Sequence, residues 1–306
     1  ELGIPLVDGD MMGRAFPELQ MCMPNLYGIT ATPMAIADEK GNSAVINTVD
    51  NRWTETLART LTIDMGCSAM IAIYPMTGKQ VKESCILHTI SLLERIGRTI
   101  REARGQHVDP IAAVRDATGG YVIWRGKVGD IARRTATGFA RGEAFITGSD
   151  EFDGRSLRIA FQNEFLIARD GDHVLATTPD LITILDDETG EPITTEALRY
   201  GFRVSVLAIP CDPRWRSPKG LQVVGPGYFG YDATYIPIED RAAFKYALAC
   251  TLVKNNAHWR AFETVFEVYF SLRGREYAVG DELAGSAEIE RERRQILGQT
   301  QRVHRK

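Results

Sequence analysis

The densest chemistry in this chain lies between Val7 and Met21. Asp8-Gly9-Asp10 is followed by Gly13, Arg14, Glu18 and Gln20. Carboxylates such as Asp8 and Asp10 serve as general bases or metal ligands, and a guanidinium such as Arg14 binds a carboxylate bidentately. The apolar run from Ile4 to Val7 just ahead reads as a buried strand, and open α/β sheets collect ligands beyond the carboxyl ends of their strands. A plainer account covers part of the pattern. Asp-Gly is a turn signal, Asp10 can cap a short helix, and Glu18 is spaced to pair with Arg14 along a helix. For Glu18 the pairing is the better account.

Other reactive side chains are scattered. Cys22 follows the motif directly. Cys67 precedes an apolar strand with no His near it in sequence, so it reads as a buried structural thiol. His88 falls next to Ile86-Leu87 on an expected helix, where a packed or surface His is the better account, and it is a reserve general base. Cys22, Cys67 and His88 thus stand behind the acids as reserves, and His173 reads as solvent-facing. No pair among the Asp, Cys and His residues has the close spacing of a zinc motif, so the sequence leaves metal and cofactor open, a divalent ion included.

The chain has 306 residues, 44% apolar and 25% charged, with a net charge of −4. That balance argues against a general nucleic-acid binder, and no run reaches the length of a membrane-spanning helix. No signal-peptide pattern opens the chain. The five cysteines, at 22, 67, 85, 211 and 250, are widely spaced, and an odd set without CxxC pairs suits a reducing cytoplasm. The chain opens at Glu1 and runs at once into the apolar segment, which reads as a fragment or a processed product.

The elements that must position these groups fall into three stretches. Residues 1–120 read as an α/β domain. Its strands are expected at 35–37, 44–49 and, buried, at 69–74. Its helices are expected at 54–64 with Thr54 as N-cap, at 84–104 and at 110–117. Residues 121–240 carry short β-rich segments between Asp-Gly and Thr-Gly turns, as in a barrel-like or sandwich-like domain. Residues 241–306 have a helical rhythm and end in a polar, Arg- and Glu-rich tail. They hold 12 Lys and Arg against 8 Asp and Glu, whereas residues 1–240 hold 24 against 32.

Across its motifs the chain resembles the S-methyl thiohydantoin desulfurase-like family. The likeness rests on Asp8-Gly9-Asp10 with Gly13 to Met21, Gly126-Lys127-Val128, Asp150 to Arg155, Phe161-Gln162-Asn163-Glu164 and Pro179-Asp180-Leu181-Ile182. Gly190 to Thr194, Leu198 to Gly201, Gly225-Pro226 and Phe229 to Asp232 complete it, in order over about residues 1–238. Genes of that family often neighbour hydantoinase/oxoprolinase subunits. The resemblance implies an α/β domain, here lacking its N-terminal part and a Gly-rich loop, followed by a β-rich, swivelling-type domain. The stretch Ala247 to Lys254 with His258 to Phe270 is similar to the N-terminal helices of von Willebrand A proteins tied to carbon-monoxide-dehydrogenase maturation. The Asp-x-Ser-x-Ser metal site of those proteins does not occur here.

The resemblance implies a hydrolase-like reaction. Water adds to the ring carbon that bears sulfur, and the tetrahedral species expels a thiol. On that reading Asp8 and Asp10 are the base or metal ligands, Arg14 anchors a substrate carboxylate, and Glu18 completes the catalytic set. Gly9, Gly13, Gln20 and Thr30 are the substrate-binding positions. Asn163-Glu164 and Asp180 are polar residues between apolar ones and face either an interdomain cleft or plain turns. The implied partners are a small-molecule substrate and a hydantoinase/oxoprolinase subunit, with a homo-oligomer compatible. Two alternatives stay open: a non-catalytic partner or scaffold of such a subunit, and an inactive truncated fusion.

Overall fold

The computed structural model describes residues 3–136 and 138–242. The chain divides into two compact units, Glu1–Glu239 and Asp240–Lys306, and the sheets and their helices belong to the first. The helical tail expected over 241–306 lies almost wholly outside the described residues.

The fold is mixed, with helices and a large antiparallel sheet. The motif begins at β1 (Gly9–Asp10), and the short helix α1 (Met23–Leu26) follows. The strands β2 (Met34–Ala37), β3 (Ser43–Ile46) and β4 (Met70–Ala72) form a small antiparallel sheet in the order β3-β2-β4. Met34, Ile36 and Ile46 point inward from it against Ala58 and Leu61 of α2 (Asn51–Asp64). Then come α3 (Gly78–Ser84), β5 (Ile86–Leu87), α4 (Thr89–Gly105) and α5 (Pro110–Thr118). β5 pairs antiparallel with β1, so Gly9 lies opposite Leu87 and Asp10 opposite Ile86.

Several local expectations are corrected. The Ile4–Val7 run is not a buried strand: no described strand pairs with it, and Ile4 and Leu6 are 75% and 80% exposed. Apolar runs bury only where a partner surface exists, and nothing in the run itself encodes one. The 69–74 segment shrinks to the exposed edge strand β4, with only Tyr74 buried beyond it. Asp50, not Thr54, caps α2, accepting from the backbone N–H of Trp53. The helix expected from Ser84 starts at Thr89. Thr77 and Gln80 form a capping box for α3 ahead of it, and Cys85 ends that helix in an extended conformation.

The large sheet has eight antiparallel strands. They are β6 (Tyr121–Ala136), β7 (Phe139–Gly148), β8 (Ser156–Gln162), β9 (Glu164–Asp170), β10 (His173–Thr177), β11 (Leu181–Asp186), β12 (Pro192–Ile193) and β13 (Arg203–Ile209). Their order is β10-β9-β8-β7-β6-β13-β11-β12. β9 and β10 also pack against β11, so the sheet curls on itself around one apolar core. Period-two alternation sends Ala144, Ile146, Ile159 and Val206 inward, where Trp124 packs on Phe152 with ring centroids 4.7 Å apart. The segment Pro213–Arg216, the helix α6 (Pro218–Val224) and the turn Pro226–Phe229 close the unit. Trp215 and Val224 meet Phe16, Met21 and Met23 in a second apolar cluster. That cluster seats the motif against the rest of the fold. Among the described residues no helix is long and apolar enough to cross a membrane.

Candidate functional site

The structure distributes the motif among separate neighbourhoods. Asp8 lies at the start of α4, where its carboxylate accepts from the backbone N–H and the hydroxyl of Ser91 at 2.9 and 2.6 Å. These bonds hold its carboxyl below the usual range. His88 precedes that helix in the left-handed conformation, φ +66°, with Nδ1 3.3 Å from Asp8 and its side chain 84% exposed. Asp8 therefore caps α4 from across the fold, replacing the capping group that His88 does not supply.

Asp10 folds its own loop rather than a helix. Its Oδ1 accepts from Met12 N and Gly13 N at 2.5 and 2.6 Å. Gly13 has φ +74°. A Cβ at Gly9 would come within 2.8 Å of the Ile86 carbonyl oxygen, and one at Gly13 within 2.8 Å of the Ile86 side chain. These glycines serve close packing of the loop on β5. Trp215 Nε1 donates to Met12 O at 2.9 Å, locking the loop from the other side.

Glu18 does not pair with Arg14. It accepts from Gln20 Nε2 and from the Tyr228 hydroxyl, at 2.5 and 2.6 Å. Thr30 is exposed and bonds only locally, to Thr32 O. Cys22 is buried and its thiol is pushed up to about 12, first by burial and then by Asp10 and Cys85, which disfavours the thiolate a nucleophile needs. Cys67, expected to be buried, is exposed at a left-handed turn after α2.

Arg14 takes a different course from the other motif side chains. It is 8% exposed, and its guanidinium donates to Asp180 O at 2.6 Å and to Phe165 O at 3.2 Å, with Nε on Ala15 O. Its carbon lies 4.9 Å from the Phe16 ring centroid. Burial pulls the guanidinium down to about 10, while Glu164, Cys211 and Asp180 favour its charge. A guanidinium so committed is not a free anchor for a substrate carboxylate, although two of its five N–H groups remain unused by described residues. Its bonds tie the motif to β9 and to the segment ahead of β11.

Around Arg14 the structure assembles groups that sequence reasoning touched only in part. The Asp180 carboxylate is buried and accepts from Cys211 N, the Tyr235 hydroxyl and Ile238 N at 3.0, 2.9 and 2.8 Å. Arg216 lies 3.7 Å from Asp180 and chelates Glu239 at 2.5 and 3.2 Å. Burial pushes the Cys211 thiol up to about 12 and raises the Asp180 carboxyl and the Tyr235 hydroxyl.

Glu164 is unlike these satisfied groups. It opens β9 after Asn163, which holds φ +56°. The turn is fixed by reciprocal bonds between Asn163 and Ala140, both 2.8 Å, and by the Thr195 hydroxyl on Asn163 O at 2.5 Å. No described residue hydrogen-bonds the Glu164 carboxyl or forms an ion pair with it within 4 Å. Burial raises its pKa, Arg14 lowers it, and Glu196 raises it again. A half-buried carboxyl without structural partners, beside a buried cation, on a strained and pinned turn, has the physical profile of an acid–base group.

Sequence reasoning missed Cys211, Arg216, Tyr235 and Tyr228. Of these, only Cys211 had a positional signal, since Pro210-Cys211-Asp212 follows the apolar run of β13. Among the described residues no group of three or more His, Cys, Asp or Glu is placed to hold a metal ion.

Comparison with known proteins agrees with the two expected resemblances. Residues 1–48 match the S-Me-THD-like N-terminal domain, residues 49–238 the S-Me-THD-like C-terminal domain, and residues 233–273 the CoxE N-terminal helical bundle domain. A crystal structure of a protein from Chromobacterium violaceum is similar at 22% identity and a TM-score of 0.61, over 78% of this chain and 67% of that one. At that identity the likeness is one of fold alone. No curated protein matches.

Proposed function

Because this chain belongs to the S-Me-THD-like family, with matches to both of its domains, we propose that it hydrolytically desulfurises an S-methyl thiohydantoin or a related hydantoin-type ring in the cytoplasm. We assign the reaction to the junction where Arg14 meets the β8–β9 turn. The observation that carries this assignment is Glu164, a carboxyl without hydrogen-bond partners among the described residues, next to the buried Arg14.

The chemistry balances with one acid–base group. Glu164, ionised beside Arg14, takes a proton from water as the oxygen bonds to the ring carbon bearing sulfur. The tetrahedral species then collapses to a ring carbonyl as its hydroxyl proton passes to the ring nitrogen that was doubly bonded to that carbon. The C–S bond breaks, and the proton held by Glu164 passes to the leaving sulfur, releasing methanethiol. A carboxyl raised by burial suits both halves of this cycle near neutral pH. Arg14 favours the ionised form of Glu164 against burial and has N–H groups left for developing charge on the ring. Asp8, Asp10 and Glu18 act as positioning residues. They hold the start of α4, the 10–13 loop and Tyr228, which together seat Arg14.

The test is methanethiol release from an S-methyl thiohydantoin. Glu164→Gln is expected to lower kcat by about 10²-fold or more, with an unchanged circular-dichroism spectrum. Wild-type turnover by that variant would remove Glu164 from the reaction. A second reading, a scaffold for a hydantoinase/oxoprolinase subunit, is favoured by one observation. Ile4, Leu6 and Val7 present exposed apolar side chains on a segment with no ladder partner among the described residues. Co-purification with such a subunit, lost on Leu6→Asp, would support it.

A further inference from the structure

One buried polar group has no part in the proposed reaction. Gln162, the last residue of β8, is 8% exposed, and no described residue hydrogen-bonds its side-chain amide. Neither Oε1 nor Nε2 is among the fully buried polar atoms without a partner, so the amide opens to solvent and its donor and acceptor are free to bond a ligand.

Its placement says where such a ligand would sit. Gln162 pairs with Glu164 across the Asn163 turn and with Arg141 on β7. Cross-strand partners share one face of a sheet. The opposite face, carrying Ala144, Ile159 and Phe161, fills the barrel core. Gln162 and Glu164 therefore stand side by side on the outer face. There Arg14 of the motif reaches the neighbouring Phe165 carbonyl. An amide that donates and accepts, a carboxyl that accepts, and a guanidinium with unused N–H groups meet at one junction.

Resting on the proposed desulfuration, we infer that Gln162 recognises the substrate by its lactam edge, the ring carbonyl and the N–H beside it. A primary carboxamide matches that edge with two antiparallel hydrogen bonds: Oε1 accepts from the ring N–H while Nε2 donates to the ring carbonyl. In an S-methyl thiohydantoin the carbon bearing sulfur is the next ring atom beyond this N–H. Docking on Gln162 therefore sets the reacting carbon on the side where Glu164 projects. The substrate class is a cyclic ureide or thioureide whose N–H between the carbonyl and the sulfur-bearing carbon is unsubstituted. Rings alkylated at that nitrogen are excluded.

The test needs no turnover. Calorimetric titration of the full chain compares hydantoin, 1-methylhydantoin and 3-methylhydantoin. The first two are expected to bind alike and the third at least about 10-fold more weakly, the loss of one buried hydrogen bond and the clash of a methyl group. In Gln162→Leu and Gln162→Ala the three affinities are expected to fall within about 2-fold of each other. Because the Gln162 side chain bonds to no described residue, thermal denaturation should show both variants folded. Equal binding of all three rings by the wild type, an unchanged preference in the variants, or no binding of any ring overturns the inference and leaves water as the partner of Gln162. Thiol release with indifferent ring binding would refute the edge recognition alone. Discriminating binding without thiol release would refute the reaction alone.

Discussion

Arg14→Met removes the link between the motif and the barrel while keeping an unbranched apolar stem. Three charge-assisted bonds, to Asp180 O, Phe165 O and the neighbouring Ala15 O, are lost, each worth about 1.5–3 kcal/mol. The contact over the Phe16 ring, 4.9 Å from its centroid, adds about 1 kcal/mol. Against this, the variant no longer buries a cation. The wild-type guanidinium is pulled down to about 10 by burial, a shift from its free value that corresponds to about 3 kcal/mol. The balance is a net destabilisation of at least about 2 kcal/mol, read from urea unfolding. The same substitution removes the one group that favours the ionised form of Glu164. The acid limb of the kcat/KM profile for thiol release, which reports deprotonation of the base, should therefore move to higher pH. Arg14→Lys keeps the charge and should leave the limb near its wild-type position while losing part of the stability. A limb that stays in place in Arg14→Met, with stability lost as expected, would show that Glu164 is not the titrating base. A gain in stability would show that the bonds to the three carbonyls never offset the burial of the charge.

Two further expectations test the parts of the motif assigned to structure. Asp8→Ala should lower the melting temperature at pH 7. The difference from wild type should vanish in acid, because a carboxyl held below its usual range stabilises the fold above the unfolded pKa and loses that effect as pH falls through the folded one. A difference that persists in acid would mean that Asp8 acts through packing rather than charge. Among the described cysteines, Cys67 should be alkylated first by iodoacetamide at pH 8. Cys22 and Cys211, both pushed up to about 12 by burial, should react only on unfolding. Peptide mass spectrometry reads the order, and early labelling of Cys22 would contradict its burial.

Much of the local structure was legible in the chain. Turn residues and period-two alternation outlined the β-rich region, since a strand with one face in the core must alternate. Apolar spacing located α2, α4 and α5. The Asp-Gly-Asp motif announced a built loop, and the ordered set of motifs indicated the family. Boundaries were less legible where a cap comes from elsewhere in the fold, as Asp8 does for α4, or where a strand as short as β5 exists only because β1 lies beside it.

What the motif side chains do was decided by tertiary structure alone. Spacing along the chain placed Glu18 within reach of Arg14, yet burial turned Arg14 toward two backbone carbonyls and gave Glu18 to Gln20 and Tyr228. Ile4 to Val7 read as core by composition, but burial requires an opposing surface, and none of the described residues provides one. In the sequence Glu164 stood out only as a polar residue between apolar ones and Gln162 only as part of a family motif, and neither had a chemical role. They become a candidate site because β8 and β9 pair across Asn163 and because Arg14, about 150 residues earlier, is brought to that turn. The chain by itself determined which groups were available and the periods that build strands and helices. Which groups were left without partners is a property of the packed fold, because a hydrogen bond unmet locally shows as unmet only when every neighbour is in place.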